Sequence, residues 1–341
     1  MRPDFRQFET TIRRGKGTHV PQIELGVHPR IKERFLGRPI VSLEDDVAFW
    51  LKAGYDYVKL QPGADFNPGK IGIDQNLTFN EDGTLFRKWA TENSGVITSR
   101  EDLENYQFPS PQDFDYSRFE RIRSVLPGRM GVIGQYGDIF TMTWEMMGFE
   151  SFSLALFENP ELVTDLNESI GRLVMPMFEY FALSDAVDVL WYTDDIAFTE
   201  GLLVSPDTLR TYFFPWLRKI GDLARKSRKP LLYHTDGILW DVFDEIIDCG
   251  VDAIHPIEPK AMDIVDVKKR YGDKLCLLGN VDVDILARGT KEQIRSIVKE
   301  NIEKVGYNGG YCVGSGNSIP EYVPYDNYLT LLEASREFGG M

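Results

Sequence analysis

Short apolar runs alternate along the chain with longer segments whose apolar residues recur at helical spacing. This alternation is typical of repeated β–α units, which build parallel sheets. Several of the runs are apolar almost throughout, as expected of strands that are buried on both faces. Eight runs are present, at residues 20–25, 55–61, 130–137, 187–196, 230–237, 252–259, 274–282 and 309–318. They predict an α/β fold, a single (β/α)8 barrel over residues 1–341.

Residue pairs between the runs indicate where helices begin and end. Asn159-Pro160 and Ser205-Pro206 each place a capping side chain directly before a proline, which is a frequent helix start. Gly250 follows the segment DVFDEIIDC and suits a left-handed residue after a helix end.

One connection breaks the alternation. Residues 62–114 join the second and third predicted strands and are rich in Gly, Pro, Asn and Asp. A connection of this length within a compact domain is usually functional or without regular structure. We predict an insertion or lid over the barrel mouth, and a surface excursion without a role in the site is the alternative.

Polar side chains gather where each predicted strand ends. Barrel enzymes place their active sites at this edge, because the loops that follow the strands meet there. The polar residues, strand by strand, are Glu24; Lys59 and Gln61; Gln135 and Asp138; Asp194 and Asp195; His234 and Asp236; His255 and Glu258; Asn280 and Asp282; Ser315 and Asn317. We therefore expect an active site at the carboxyl ends of the strands.

His234 and Asp236 are the most specific pair in this set. Side chains two positions apart on a strand point to the same face, so both can reach the barrel mouth. An imidazole beside a carboxylate serves as a general base, a proton relay or part of a metal site. We predict that both residues are catalytic. The alternative is a buried core histidine followed by a turn at Asp236-Gly237.

The remaining candidates are carboxylates and amides. Asp194 and Asp195 are adjacent, so only one of them can face the site, and either is predicted to bind substrate. Glu258 is a candidate metal ligand, with a salt bridge as the alternative. Three amides complete the predicted substrate-binding set, namely Gln135, Asn280 and Asn317.

Charge and composition exclude several classes of partner. Lys and Arg number 38 against 53 Asp and Glu, a formal net charge of −15, which disfavours nucleic acid. The same charge disfavours a substrate with many carboxylates unless a local basic cluster is present. The N-terminal sequence shows no secretory signal, and no apolar stretch is long enough to span a membrane. Three cysteines without metal-binding spacing complete the expectation of a cytoplasmic protein.

Four motifs carry a resemblance to a known family. HTDG at 234–237, IEP at 257–259, KKRYGDKLCLLGNVD at 268–282 and GGYCVGSGNSIP at 309–320 resemble the uroporphyrinogen decarboxylase superfamily, as does the segment at 193–220. The likeness covers the C-terminal half well and the N-terminal half weakly. It implies a (β/α)8 barrel. It also implies one of two chemistries: decarboxylation of uroporphyrinogen without a cofactor, or zinc-assisted methyl transfer to or from a corrinoid protein.

The chain departs from both branches of this superfamily. The arginine motif of the decarboxylases, PxWxMRQAGRY, is absent from residues 24–39, and KLQPGADF stands where their aspartate motif is expected. The thiol-specific methyltransferases use an HxC pair and a later Cys as zinc ligands. His234 matches the first ligand, but Asp236 and Asn317 stand in place of the two cysteines.

The resemblance therefore favours a corrinoid-dependent methyltransferase that demethylates a small O- or N-methylated substrate. The expected cofactors are zinc, held by His234 and Glu258, and a corrinoid (cobalamin) carried by a partner protein. Two alternatives remain: uroporphyrinogen decarboxylation, and a non-catalytic barrel that binds a tetrapyrrole or corrinoid. A homodimer is compatible with the sequence.

Overall fold

Seven of the eight predicted strand regions form one curled parallel sheet. The computed structural model describes residues 3–64, 78–79, 85–86 and 95–340. Each strand pairs with the next one of the sheet along the chain, as expected for consecutive β–α units. The strands are β1 Tyr57–Leu60, β2 Gly131–Gly137, β3 Val189–Thr193, β4 Leu231–His234, β5 Ala253–His255, β6 Cys276–Val281 and β7 Tyr311–Ser315.

The first predicted strand, at residues 20–25, lies beside β7 without forming a regular strand. Its contacts with that edge are the isolated parallel bridges Gln22–Val313 and, further along, Val27–Ile319. Pro21 lacks an N–H group and accepts only, from the N–H of Val313 at 2.9 Å. The α/β class is thus confirmed. The sheet has seven paired strands, with one further segment along its edge.

Helices connect the strands and cover the sheet. None of the helices in the described ranges has the length and hydropathy needed to cross a lipid bilayer. Their bounds are α1 Phe5–Ile12, α2 Pro29–Leu36, α3 Leu43–Ala53, α4 Arg100–Asn105, α5 Ser117–Val125, α6 Ile139–Met147, α7 Phe149–Glu158, α8 Pro160–Leu183, α9 Pro206–Tyr212, α10 Phe214–Ser227, α11 Phe243–Asp248, α12 Ile264–Tyr271, α13 Val283–Arg288, α14 Lys291–Lys304 and α15 Tyr325–Gly339. Two-residue antiparallel pairs join Thr78–Phe79 to Leu85–Phe86 and Ala197–Phe198 to Gly201–Leu202.

The helix boundaries predicted from capping residues are confirmed. The side chain of Asn159 accepts from the N–H of Leu162 at the start of α8. Ser205 accepts from the N–H of Thr208 at the start of α9. Gly250 follows α11 with a φ of +92°, a left-handed conformation that glycine adopts without strain.

The strands are buried on both faces, which fixes where their ends lie. All residues of β3, β4, β5, β6 and β7 are buried. Because all seven strands run parallel, their carboxyl ends meet at one edge, which holds the polar residues predicted for the site.

About half of the predicted insertion at 62–114 lies outside the described residues. At its base, Gly63 and Asp115 exchange two backbone hydrogen bonds of 2.9 and 3.1 Å, which join the two ends of the segment. The described part contains α4 and a 3-10 turn at Pro111–Asp113. A lid in this region stays a prediction.

Candidate functional site

Two histidines lie side by side at the ends of β4 and β5. His234 and His255 are register partners, and their Nδ1 atoms are 2.8 Å apart. One Nδ1 must carry the proton that the other accepts. Burial lowers the pKa of both imidazoles, so both are neutral at pH 7. When the proton is on Nδ1 of His234, the Nε2 of that ring is free to accept a proton or bind a metal.

Two carboxylates face that imidazole. Asp195 Oδ1 lies 3.9 Å from His234 Nε2 and accepts from the N–H of Asp236 at 3.1 Å. Asp236 Oδ2 accepts from Asn317 Nδ2 at 2.7 Å, whereas its Oδ1 is buried without a hydrogen-bond partner. One potential ligand atom from each of Asp195, His234 and Asp236 lies within 4.8 Å of the others. We call these three residues the strand-end cluster.

The electrostatics of the cluster favour a cation or a proton. Burial, followed by the negative charges of Asp195 and Glu258, raises the pKa of Asp236 to about 8. The hydrogen bond from Asn317 opposes that rise only in part. A positive charge beside the carboxyl would stabilise its ionised form. The site can therefore hold a proton at Asp236 or bind a cation there.

The donor set of the cluster fits zinc. Catalytic zinc sites use three protein ligands from His, Asp, Glu or Cys and keep one position open. The imidazole and two carboxylates meet that requirement, and Oδ1 of Asp236, which has no hydrogen-bond partner, is available to coordinate a metal ion. His255 would orient the ring of His234 through the Nδ1 contact, as second partners of metal ligands do.

Glu258 lies outside this cluster. Its carboxylate oxygens accept from the N–H of Gly237 and from Thr199 Oγ1, both at 2.9 Å. Asp195, predicted to bind substrate, is the third member of the cluster, and metal binding by Glu258 stays a prediction. Glu258 instead lines a cavity of about 350 Å³ beside Asp236, together with Asp282, Asn317 and Tyr322.

Gln135 lies at the same edge, near the end of β2. Its Oε1 accepts from Lys59 Nζ at 2.8 Å and also from Gln61 Nε2. Its Nε2 donates to Thr193 Oγ1 at 3.0 Å, which fixes the orientation of the amide. Burial lowers the pKa of Lys59 to about 7. Gln135 therefore belongs to a part of the site built around a lysine.

Asn280, also predicted to bind substrate, forms a hydrogen bond with the backbone of the loop after β5. Its φ is +83°, and its Nδ2 donates to the carbonyl of Ile257 at 2.5 Å. Asn301 Nδ2 donates to its Oδ1 at 3.4 Å. These contacts support a structural role and leave substrate binding by Asn280 a prediction.

Asp194 anchors the start of α6. Its oxygens accept from the N–H groups of Phe140 and Thr141 at 2.7 and 2.8 Å, and from Tyr192 Oη at 2.6 Å. Burial and the charge of Asp138 raise the pKa of Asp194 to about 7. The contacts explain why a buried carboxyl is retained here, while substrate binding by Asp194 stays a prediction.

Replacing Asp194 with alanine is expected to destabilise the fold by roughly 2–4 kcal/mol, because three buried donors lose their acceptor. Asp194→Asn keeps one acceptor oxygen, so we expect a smaller decrease in the free energy of unfolding for this variant. Urea unfolding of both variants measures the difference. Midpoints equal to that of the wild type would show that these hydrogen bonds contribute nothing.

Three residues at this edge gain roles that the sequence analysis did not assign. His255 orients His234, Lys59 contacts Gln135, and Glu24 binds Ser315. Each had been noted only as a polar residue at a strand end. The alignment of neighbouring strand ends, His234 with His255, was the available signal for the first of them.

The sequence is similar to known decarboxylases. The family model for uroporphyrinogen decarboxylase (URO-D) matches residues 92–338. A uroporphyrinogen decarboxylase of Aliivibrio salmonicida is 26% identical over 256 residues, 71% of this chain and 69% of the relative. One of Vibrio vulnificus is 25% identical over 285 residues, covering 79% and 75%.

A solved structure, a methyltransferase from Methanosarcina mazei, is similar over nearly the whole chain. The TM-score is 0.68 at 17% identity, with 97% of this chain and 98% of the other covered. At this identity the likeness concerns the fold alone. The family model spans most of the chain, including every residue of the strand-end cluster, so the chain belongs to the uroporphyrinogen decarboxylase family.

Proposed function

We propose that this protein is a methyltransferase that moves a methyl group between a small O- or N-methylated compound and a corrinoid protein. The observation that carries the proposal is the strand-end cluster, in which an imidazole nitrogen and two carboxylate oxygens lie within 4.8 Å. Such a donor set suits metal-assisted cleavage of a carbon–oxygen or carbon–nitrogen bond.

The proposed architecture is a closed (β/α)8 barrel, in which the segment at residues 20–27 takes the position of the eighth strand. The bridges from Gln22 and Val27 to the β7 edge support this closure on one side. On the other side, the N–H of Glu24 donates to Tyr57 Oη of β1 at 2.8 Å. The same segment thus contacts both edges of the seven-stranded sheet.

The chemistry requires that the heteroatom that loses its methyl group is stabilised as it gains electron density. The electron pair of the broken bond stays on that heteroatom, while cobalt(I) of the corrinoid substrate supplies the pair for the new cobalt–carbon bond. Zinc held by Asp195, His234 and Asp236 would supply Lewis-acid polarisation of the heteroatom. Asn317 orients Asp236, and His255 holds the ring of His234. Without a bound metal, Asp236 or His234 would instead exchange a proton with this heteroatom.

Decarboxylation of uroporphyrinogen is the second candidate, because the similar curated relatives carry that name. Residues 24–39 lack the arginine motif that the resemblance associates with that reaction. The net charge of −15 also disfavours a substrate with many carboxylates.

The test is methyl transfer to free cob(I)alamin from a panel of methoxylated aromatics and methylamines, followed by the absorbance of methylcobalamin. We expect turnover that Asp236→Asn reduces by about a hundredfold or more, whereas Glu303→Gln, on the exposed surface of α14, retains it. Conversion of uroporphyrinogen to coproporphyrinogen without methyl transfer would establish the second candidate instead. Corrinoid binding without either reaction would indicate a non-catalytic barrel.

A further inference from the structure

Lys59 is a basic side chain at the functional edge of the sheet. It extends from β1, is partly buried, and its Nζ donates to the neutral Oε1 of Gln135 at 2.8 Å. Among the residues that the structure describes, no carboxylate lies within 4.0 Å of this ammonium. A desolvated charge without an opposite partner is costly, so burial favours the neutral amine of Lys59, and a bound anion would favour the ammonium again.

The described surroundings of Lys59 hold one carboxylate, and it is already paired. Asp46 is the carboxylate whose charge acts on Lys59. It already accepts from Lys32 Nζ and Arg118 Nη2, each at 2.7 Å. We call Lys32, Asp46, Lys59 and Arg118 the cationic corner. Lys32 and Arg118 already outnumber Asp46, and protonation of Lys59 would add to this local positive charge in a protein whose net charge is −15.

Within the described ranges, the polar neighbours of Lys59 leave it able to bind a further acceptor. Gln135 is held in place by its hydrogen bond to Thr193, and its Oε1 uses one donor of the ammonium. An ammonium has three donors, so two remain. Gln61 Nε2, which also points at this oxygen, adds a neutral donor beside the lysine.

We propose that Lys59 binds a carboxylate of the substrate, whose methyl-bearing end lies toward the strand-end cluster. The substrate class is then a small methylated carboxylic acid. Lys59 Nζ donates to Gln135, Gln135 donates to Thr193, and Thr193 is the register partner of His234, so Lys59 and the strand-end cluster lie at the same edge of the sheet. The identity of the methyl-bearing end rests on the proposed function, whereas the carboxylate contact rests on Lys59 and its neighbours.

The test compares carboxylates with their neutral amides. Titration calorimetry measures binding of 3-methoxybenzoate, benzoate and N,N-dimethylglycine, each beside its primary amide, to the wild-type protein. We expect at least one acid to bind about tenfold or more tightly than its amide. Lys59→Met should remove that preference, Lys59→Arg should retain most of it, and Lys299→Met, at an exposed lysine, should leave it unchanged.

Kinetics provide the second readout. For an acid that is demethylated, Lys59→Met is expected to raise KM about tenfold or more and to change kcat less, because the contact binds substrate in both ground and transition states. The proposal is overturned if no acid binds more tightly than its amide, or if the preference survives in Lys59→Met. If the wild type transfers no methyl group but Lys59→Met abolishes its preference for acids over amides, the proposed function is refuted and the contact of Lys59 with a carboxylate is supported.

Discussion

Replacing His234 with asparagine is expected to remove bound zinc and to lower methyl transfer by about a hundredfold or more. His234 supplies the only nitrogen among the three potential ligand atoms of the strand-end cluster, and its Nε2 lies 3.9 Å from Asp195 Oδ1. Asparagine keeps a short polar group near His255 but does not reach the position of Nε2. We expect about one zinc per chain in the wild type and nearly none in the variant.

His255→Asn is the matched comparison for this experiment. Its imidazole touches His234 through Nδ1 and would act by positioning that ring. We therefore expect an intermediate loss of zinc affinity, about 10–100-fold. Elemental analysis and the methylcobalamin assay measure both variants, and thermal unfolding verifies that each is folded. Full zinc content and full activity in His234→Asn would rule out the cluster as the site.

Replacing Glu24 with glutamine is expected to stabilise the protein at alkaline pH. Glu24 is fully buried, and its two oxygens accept from the N–H and Oγ of Ser315 at 2.9 and 2.6 Å. Burial raises its pKa from 4.5 to about 8, although both contacts with Ser315 oppose the rise. Glutamine is neutral at every pH and can make the same pair of hydrogen bonds, provided that the hydroxyl of Ser315 turns to accept.

The direction of the pH effect follows from proton binding. The folded protein holds a proton on Glu24 up to about pH 8, whereas the unfolded chain releases it near pH 4.5. The free energy of unfolding therefore falls as pH rises through this window and levels off above it. Relative to the wild type, Glu24→Gln should be similar near pH 4.5 and more stable by about 3–5 kcal/mol at pH 8.5.

Urea unfolding across this pH range measures the effect as a difference between variant and wild type, so titration of other groups cancels. Glu303→Gln, at an exposed glutamate of α14, is the control and should give a pH-independent difference. Parallel stability curves for Glu24→Gln and the wild type would contradict a protonated, buried Glu24.

The pattern of strands was predictable because burial on both faces leaves a direct trace in composition. The predicted runs that contain β1 to β7 all form strands, while residues 20–25 do not. Residues 20–25 carry three aliphatic side chains, Val20, Ile23 and Leu25, but Pro21 removes a backbone donor. Pairing along a sheet edge depends on such backbone groups, which composition does not report.

The site was predictable in part, because side chains alternate between the two faces of a strand. Alternation along a strand implied that Asp194 and Asp195 face opposite ways. In the structure Asp195 belongs to the cluster, whereas the carboxylate of Asp194 accepts a hydrogen bond from the N–H of Phe140 at the start of α6. Glu258 was chosen as a metal ligand from its residue type. Its contact with the N–H of Gly237 depends on the loop after β5, which no spacing rule describes.

The sequence by itself determined the α/β class, the family and the edge where polar side chains collect, because these follow from periodicity and from motifs near in sequence. Only the tertiary structure decided which polar groups touch. His234 with His255, Lys59 with Gln135, and Glu24 with Ser315 lie 21, 76 and 291 residues apart. Hydrogen bonds and charge interactions act over a few ångströms, so their partners are set by the packing of distant segments.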